Sequence, residues 1–248
     1  MILWILFFLL LLFILYRLTK KDYPQVHVNM NGKVADIISQ MKSLKKPYKP
    51  TPWLIGSHMQ TIYGMRFRKK HLKYRREIFH FSDGGQCALD FYDPIKNQDQ
   101  KLLHCNNNAL ESFDDNSESE ERIPILMIIH TLAGGTREPC SNNLAEAARR
   151  KGYRAVIYNN RGCSGVPFTT KKYYNSLDDS DAIDVIKYLR EHYHPPYLFL
   201  AGFSLGAYMA ALVDADKGDL CDGIALISHS YNSLGSNKIL NSGIPKKL

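Results

Sequence analysis

Gly202-Phe203-Ser204-Leu205-Gly206 decides how this 248-residue sequence is read. The pentapeptide follows an apolar run of strand type, Tyr197 to Ala201, and opens an alanine-rich helical stretch, Ser204 to Asp214, with Ala207, Ala210 and Ala211. A serine with glycine two positions away on either side, set between strand and helix, is the pattern of a nucleophile elbow. The turn is crowded, so only residues without side chains let strand and helix approach while the Ser204 hydroxyl projects above the sheet. The helix N-terminus beneath it favours negative charge developing on an acyl oxygen. The competing reading is a glycine-flanked N-cap serine in some other α/β fold.

Outward from the elbow, strands and helices alternate. Ile125 to Ile129 is a continuous apolar run, residues 139 to 151 are helical and closed by Gly152, and Ala155 to Tyr158 is the next strand. Asp178 to His192 places Ile183, Ile186, Tyr188 and Leu189 at helical spacing with acids at its N-terminus, and Gly223 to Ser228 is a further strand. Buried apolar strands separated by helices predict an α/β fold with a mostly parallel sheet and helices on both faces. Before them, Arg76 to Tyr92 alternates around Asp83-Gly84-Gly85, the signature of a hairpin.

A glycine-containing loop, His130-Thr131-Leu132-Ala133-Gly134-Gly135, follows the Ile125 strand. An oxyanion hole needs two backbone N–H groups aimed at one point, one from the residue after the nucleophile and one from such a loop. Leu205 and Leu132 are the expected donors, with Thr131 the alternative to Leu132. His130 reads as a loop-shaping histidine, because in this layout the base follows the serine in chain order. Downstream of Ser204 the acids are Asp214, Asp216, Asp219 and Asp222 and the one histidine is His229, none at a later strand end. They read as solvated helix-end residues and a structural histidine. The expectation is a nucleophile whose triad aspartate and histidine are not present in this chain, as if it were truncated at its C-terminus.

From Ile2 to Tyr16 every residue is apolar or aromatic, and Arg17, Lys20 and Lys21 follow. This predicts an uncleaved single-pass transmembrane anchor over residues 1–18 with the rest of the chain on the cytosolic side; the alternative is a segment lying in one leaflet. Residues 19–50 read as a connector with one short helix around Val34, Ile37, Ile38 and Met41, and residues 51–248 as the main domain, with a disordered insertion at 96–121 rich in Asn, Ser and acids. The net charge of +8 is concentrated in Arg66, Arg68, Lys69, Lys70, Lys73, Arg75 and Arg76. That run reads as a solvated edge or, if functional, as a contact for lipid headgroups; nucleic acid is not expected as a partner of an anchored chain. The five cysteines, Cys87, Cys105, Cys140, Cys163 and Cys221, show neither paired nor metal-ligand spacing, so no disulfide framework, metal or cofactor is expected.

Several ordered motifs go further than the elbow alone: Pro52-Trp53-Leu54-Ile55, Ser57-His58-Met59-Gln60-Thr61, Asp83-Gly84-Gly85 with Leu89-Asp90, the His130 to Thr136 loop, Asn160-Arg161-Gly162-Cys163-Ser164-Gly165, and Gly202 to Gly206. Together, over roughly residues 50 to 232, they resemble the membrane-anchored abhydrolase-domain-containing proteins of the type 1 and type 3 group and their bacterial esterase relatives. The resemblance implies an α/β-hydrolase fold and a serine esterase or phospholipase acting on lipid-like esters such as acylglycerols or phospholipids. Ser204 is then the nucleophile, the partners are membrane lipid and lipid-ester substrate, and the location is a membrane, the endoplasmic reticulum or another endomembrane. Thr131 stands where the family usually has glycine. A serine without its base retains only binding and oxyanion contributions, so the alternative is a catalytically inactive, membrane-anchored interaction or acyl-binding protein.

Overall fold

The structure is a computed structural model that describes residues 2–19, 22–29, 32–54, 56–67, 72–95, 122–175, 177–232 and 235. The insertion expected at 96–121 and Arg68 to Lys70 of the basic run lie outside the described residues. The chain divides into two compact units, Met1–Phe67 and Arg68–Leu248.

Among the described residues the first unit carries three helices: α1 (Ile2–Thr19), α2 (Lys33–Gln40) and α3 (Gly56–Phe67). Residues 22–54 link them through a backbone bridge between Asp22 and Tyr48 and a Tyr48 hydroxyl bond to Gln60 of α3 at 2.5 Å. The apolar side chains of α1 from Ile2 to Leu12 are exposed. The expected single-pass span is not met here: among the described residues no helix is long and apolar enough to cross a membrane. The physical reason is length, since an 18-residue helix rises only about 27 Å against a hydrocarbon core of about 30 Å, and its last turn is already polar.

The second unit is built on a six-stranded sheet in the order β1-β2-β4-β3-β5-β6. Its strands are β1 (Arg75–His80), β2 (Gln86–Tyr92), β3 (Ile125–Ile129), β4 (Arg154–Asn159), β5 (Leu198–Phe203) and β6 (Gly223–Ile227). The last four are mutually parallel, while β1 pairs antiparallel with β2 and β2 antiparallel with β4. The Gly84-Gly85 turn that joins β1 to β2 has Gly84 at φ +80°, a conformation glycine adopts without penalty. The described residues of the unit also form the helices α4 (Pro139–Arg150), α5 (Ser180–Tyr193) and α6 (Leu205–Lys217).

Parallel strands bury both faces, which is why β3 reads Ile-Leu-Met-Ile-Ile without alternation and is buried apart from half-buried Leu126. On one face Met127, Ile129, Val156, Tyr158 and Leu200 pack with Val185, Ile186 and Leu189 of α5 and Met209, Ala210 and Val213 of α6. On the other, Ile128, Ala155, Ile157 and Tyr92 pack with Ala145 and Ala148 of α4. Helices thus stand on both faces, and the switch in strand order places the ends of β3 and β5 side by side at the centre of the sheet.

A buried polar network joins the hairpin to this centre. Asp90, fully buried, accepts from Arg76 through Nε at 2.6 Å and Nη2 at 2.7 Å, from Asn159 Nδ2 at 3.0 Å, and from the Thr136 hydroxyl. Arg76, counted above in the basic run, is therefore committed to an internal carboxylate, and Arg75 likewise pairs with Glu77. Replacing Asp90 with alanine leaves three donors without their acceptor, one of them a guanidinium. Urea unfolding of Asp90→Ala is expected to show a loss of about 3 kcal/mol; a loss below about 1 kcal/mol would mean the pair behaves as a surface ion pair.

Candidate active site

Ser204 occupies the junction of β5 and α6 with φ +52° and ψ −110°, outside the regions L-residues favour, and its side chain makes no capping hydrogen bond. Its amide donates to the Ile227 carbonyl at 2.9 Å, its carbonyl accepts from Ala207 and Tyr208, and its side chain is exposed. An ordinary N-cap serine sits in the extended region and turns its hydroxyl back onto the helix. Ser204 does neither.

Both flanking glycines are dictated by backbone contact. A Cβ on Gly202 would collide with the Gly206 carbonyl and the Ala207 nitrogen, and one on Gly206 would collide with the carbonyl oxygens of Ile129 and His130. The second contact, with the register Ile129 to Gly202, sets the start of the His130 loop directly beside the elbow.

Within that loop most amides are spent. Thr131 N–H donates to Glu138 Oε2 at 3.2 Å and the Thr131 hydroxyl bonds Glu138 Oε1. Ala133, at φ +53°, donates to the Tyr174 hydroxyl at 3.0 Å, Gly134 to the Thr131 carbonyl at 3.1 Å, and Thr136 to Asn159 Oδ1 at 2.9 Å. Among the described residues the amides of Leu132 and Leu205 have no such partner. Of the two loop donors left open by the sequence, Thr131 is thus occupied and Leu132 is not. Thr131 and Glu138 also explain each other: a hydroxyl at this position gives the carboxylate a second donor and fixes the loop.

His130 is buried between strand ends. Its Nδ1 lies 2.6 Å from the Thr131 carbonyl and its Nε2 accepts from the Asn160 amide at 3.3 Å. A carbonyl needs a donor and an N–H needs an acceptor, so the proton is assigned to Nδ1 of a neutral ring. Burial pushes His130 below the ordinary histidine value. It shapes the loop and is not poised as the base. The sign of its pH effect follows: between the depressed folded value and about 6.5 the unfolded chain binds more protons, so stability is full above about pH 6.5 and falls as pH drops through that interval. His130→Gln is expected to flatten the dependence of the urea midpoint between pH 7.5 and 5.5; an unchanged slope would place the titration elsewhere.

Arg161 holds the loop after β4. It bonds Asp181 at 2.5 and 2.9 Å and Asp83 at 3.0 and 2.9 Å, with its guanidinium 4.2 Å from the Phe81 ring centre. Asp83-Gly84-Gly85 and Asn160-Arg161-Gly162, far apart in sequence, are therefore two halves of one clasp.

The structure brings no carboxylate and imidazole together beside Ser204 among the described residues. Asp222 accepts from Arg190 and from the Leu198 amide, both at 2.7 Å, at the end of β5 opposite Ser204, and these bonds hold it below the usual carboxylate range. Asp214, Asp216 and Asp219 are exposed beyond the second turn of α6. His229 follows β6, stacked on Tyr208 at 5.6 Å and tilted against Tyr231 at 4.4 Å between ring centres. Among the described residues no cluster of His, Cys, Asp or Glu could hold a metal ion.

The family model described as "alpha/beta hydrolase fold" matches residues 124–241, which contain β3 to β6, the loop and the elbow. The chain has the α/β-hydrolase fold over these residues. Among the proteins the chain is similar to, embryogenesis-associated protein EMB8 of Picea glauca is 28% identical over 86% of this chain and 44% of its own length. Medium-chain fatty acid ethyl ester synthase/esterase 2 of Saccharomyces cerevisiae is 30% identical over 69% of this chain and 45% of its own length. Phospholipase ABHD3 of Homo sapiens is 26% identical over 65% of this chain and 36% of its own length. The chain spans about half, or less, of the length of these relatives.

Proposed function

We propose that this protein is a serine carboxylester hydrolase acting on lipid-like esters, acylglycerols or phospholipids, at a membrane. The observation that carries the reading is the elbow itself: Ser204 at φ +52°, exposed and uncapped, between glycines that no other residue can replace without backbone collision. A base removes the proton from Ser204 Oγ, which attacks the ester carbonyl. The amides of Leu132 and Leu205 receive the oxyanion, the alcohol leaves with a proton, and water releases the acid from the acyl-serine. Among the described residues no carboxylate–histidine pair stands beside Ser204 to serve as that base and its orienting acid. The names of the yeast esterase and the human phospholipase favour acyl esters of lipids as substrates, and the apolar α1 favours attachment to a membrane, such as the endoplasmic reticulum or another endomembrane.

A second reading, an acyl-binding protein without turnover, is favoured by the lack of a carboxylate–histidine pair beside Ser204 among the described residues. The test incubates the natural protein with monoacylglycerol and with phosphatidylcholine vesicles and measures released fatty acid. Release that disappears in Ser204→Ala supports hydrolysis; saturable fatty-acid binding with no release from any ester supports the second reading.

A further inference from the structure

We propose that residues 34–54 and 56–67 of the first unit form a docking face for an anionic lipid surface, separate from the apolar α1 and independent of any chemistry at Ser204. Two observations meet there. The first is an inverted exposure pattern. Val34, Ile37 and Met41, at the spacing of one helical stripe along α2 and its C-cap, are exposed, while Ala35 on another side is buried. Trp53, Met59, Ile62 and Phe67, before and along α3, are also exposed, Trp53 at 69% and Phe67 at 70%. A short helix normally turns its apolar stripe inward, and isolated apolar residues on a surface need no explanation; seven large ones within one small unit do.

The second observation is charge. No aspartate or glutamate occurs between Asp36 and Glu77. Lys42, Lys45, Lys46 and Lys49, in the segment joining α2 to α3, and Arg66 in the last turn of α3 are all exposed, and none is in an ion pair with a described residue. Asp36 points away from the stripe, because at about 100° per residue it falls well round the helix from Val34 and Ile37.

Cations interleaved with aliphatic side chains and one tryptophan suit a bilayer carrying acidic lipid. The lysines meet phosphate and carboxylate headgroups, and the apolar tips enter the boundary with the acyl chains, where tryptophan is favoured. Nucleic acid would use the lysines but would leave Val34, Ile37, Met41, Met59 and Ile62 without a partner.

The chain holds two tryptophans, Trp4 and Trp53, so full-length Trp4→Phe leaves Trp53 as the sole reporter. Trp53 emission is followed on adding neutral phosphatidylcholine vesicles, vesicles containing phosphatidylserine, or single-stranded RNA, at low and high salt. The expected result is a blue shift on the anionic vesicles, quenching by lipid brominated near the headgroup, and weakening as salt rises. Each lysine at an anionic surface is worth about fivefold in partitioning. The quadruple variant K42E/K45E/K46E/K49E should therefore lose at least about tenfold of the preference for anionic over neutral vesicles, while attachment to neutral vesicles through α1 is unchanged. The K42R/K45R/K46R/K49R variant should retain the preference, which separates charge from folding. An unshifted Trp53 on bound vesicles, a preference unmoved by the glutamate set, or a shift with RNA and not with vesicles each overturns the proposal.

Discussion

Gly206→Ala is expected to cost about 3 kcal/mol and to displace the elbow, although local propensity alone predicts the opposite. Gly206 lies in the first turn of α6, where alanine is favoured over glycine by about 1 kcal/mol. Packing reverses that sign. The added methyl would enter the space of the Ile129 and His130 carbonyl oxygens, which belong to the end of a central strand and cannot swing aside as a side chain would. Gly152 is the control, since it has φ +83° and a methyl added to it would meet nothing within 4 Å; Gly152→Ala bears only the left-handed penalty of about 1 kcal/mol. Urea unfolding of the two variants separates steric exclusion from conformational strain. Equal losses would mean that the elbow and β3 are in looser contact than the Gly206 geometry requires.

Substitution of Ser204 has two expected consequences with opposite signs. On the proposed hydrolytic function, Ser204→Ala is expected to lower ester hydrolysis by about 10⁶-fold, the scale on which removing a nucleophile acts. Ser204→Gly is expected to abolish activity equally and yet to stabilise the fold by about 1 kcal/mol or more, because the φ +52° conformation strains a residue with a Cβ and does not strain glycine. A serine serving as an N-cap behaves the other way, and its loss destabilises the helix. The sign of the stability change, read by thermal unfolding, therefore distinguishes the elbow from the cap with no substrate in the experiment.

Periodicity and local motifs made the parallel core legible. The β3 run Ile125 to Ile129 was visible to the residue, because buried parallel strands are uniformly apolar and Pro124 and His130 bound it. Boundaries moved where side chains cap or bury unexpectedly. The helix expected from Asp178 begins at Ser180, whose amide bonds the Asp178 carboxylate at 3.1 Å, and β5 runs on through Gly202 into the motif that local reading assigned to a turn. The clasp of Arg161 with Asp83 and Asp181, and the pairing of Arg76 with Asp90, carry no local signature: they join residues that only the sheet order brings together. Arg76 accordingly read as one charge in a basic run. Thr131 read as a departure from the family pattern for the same reason, since its partner Glu138 lies one turn of loop away and shows no periodic link to it. The apolar run that forms α1 was legible in the sequence, but the single-pass span expected of it is not met among the described residues.

The nucleophile itself is tested most directly by treating the natural protein with a fluorophosphonate and mapping the adduct by mass spectrometry. The geometry predicts a single adduct on Ser204, lost in Ser204→Ala and slowed when Glu138→Ala releases the loop that holds the Leu132 amide. An adduct on any other residue, or none on Ser204 in a protein that hydrolyses esters, would contradict it.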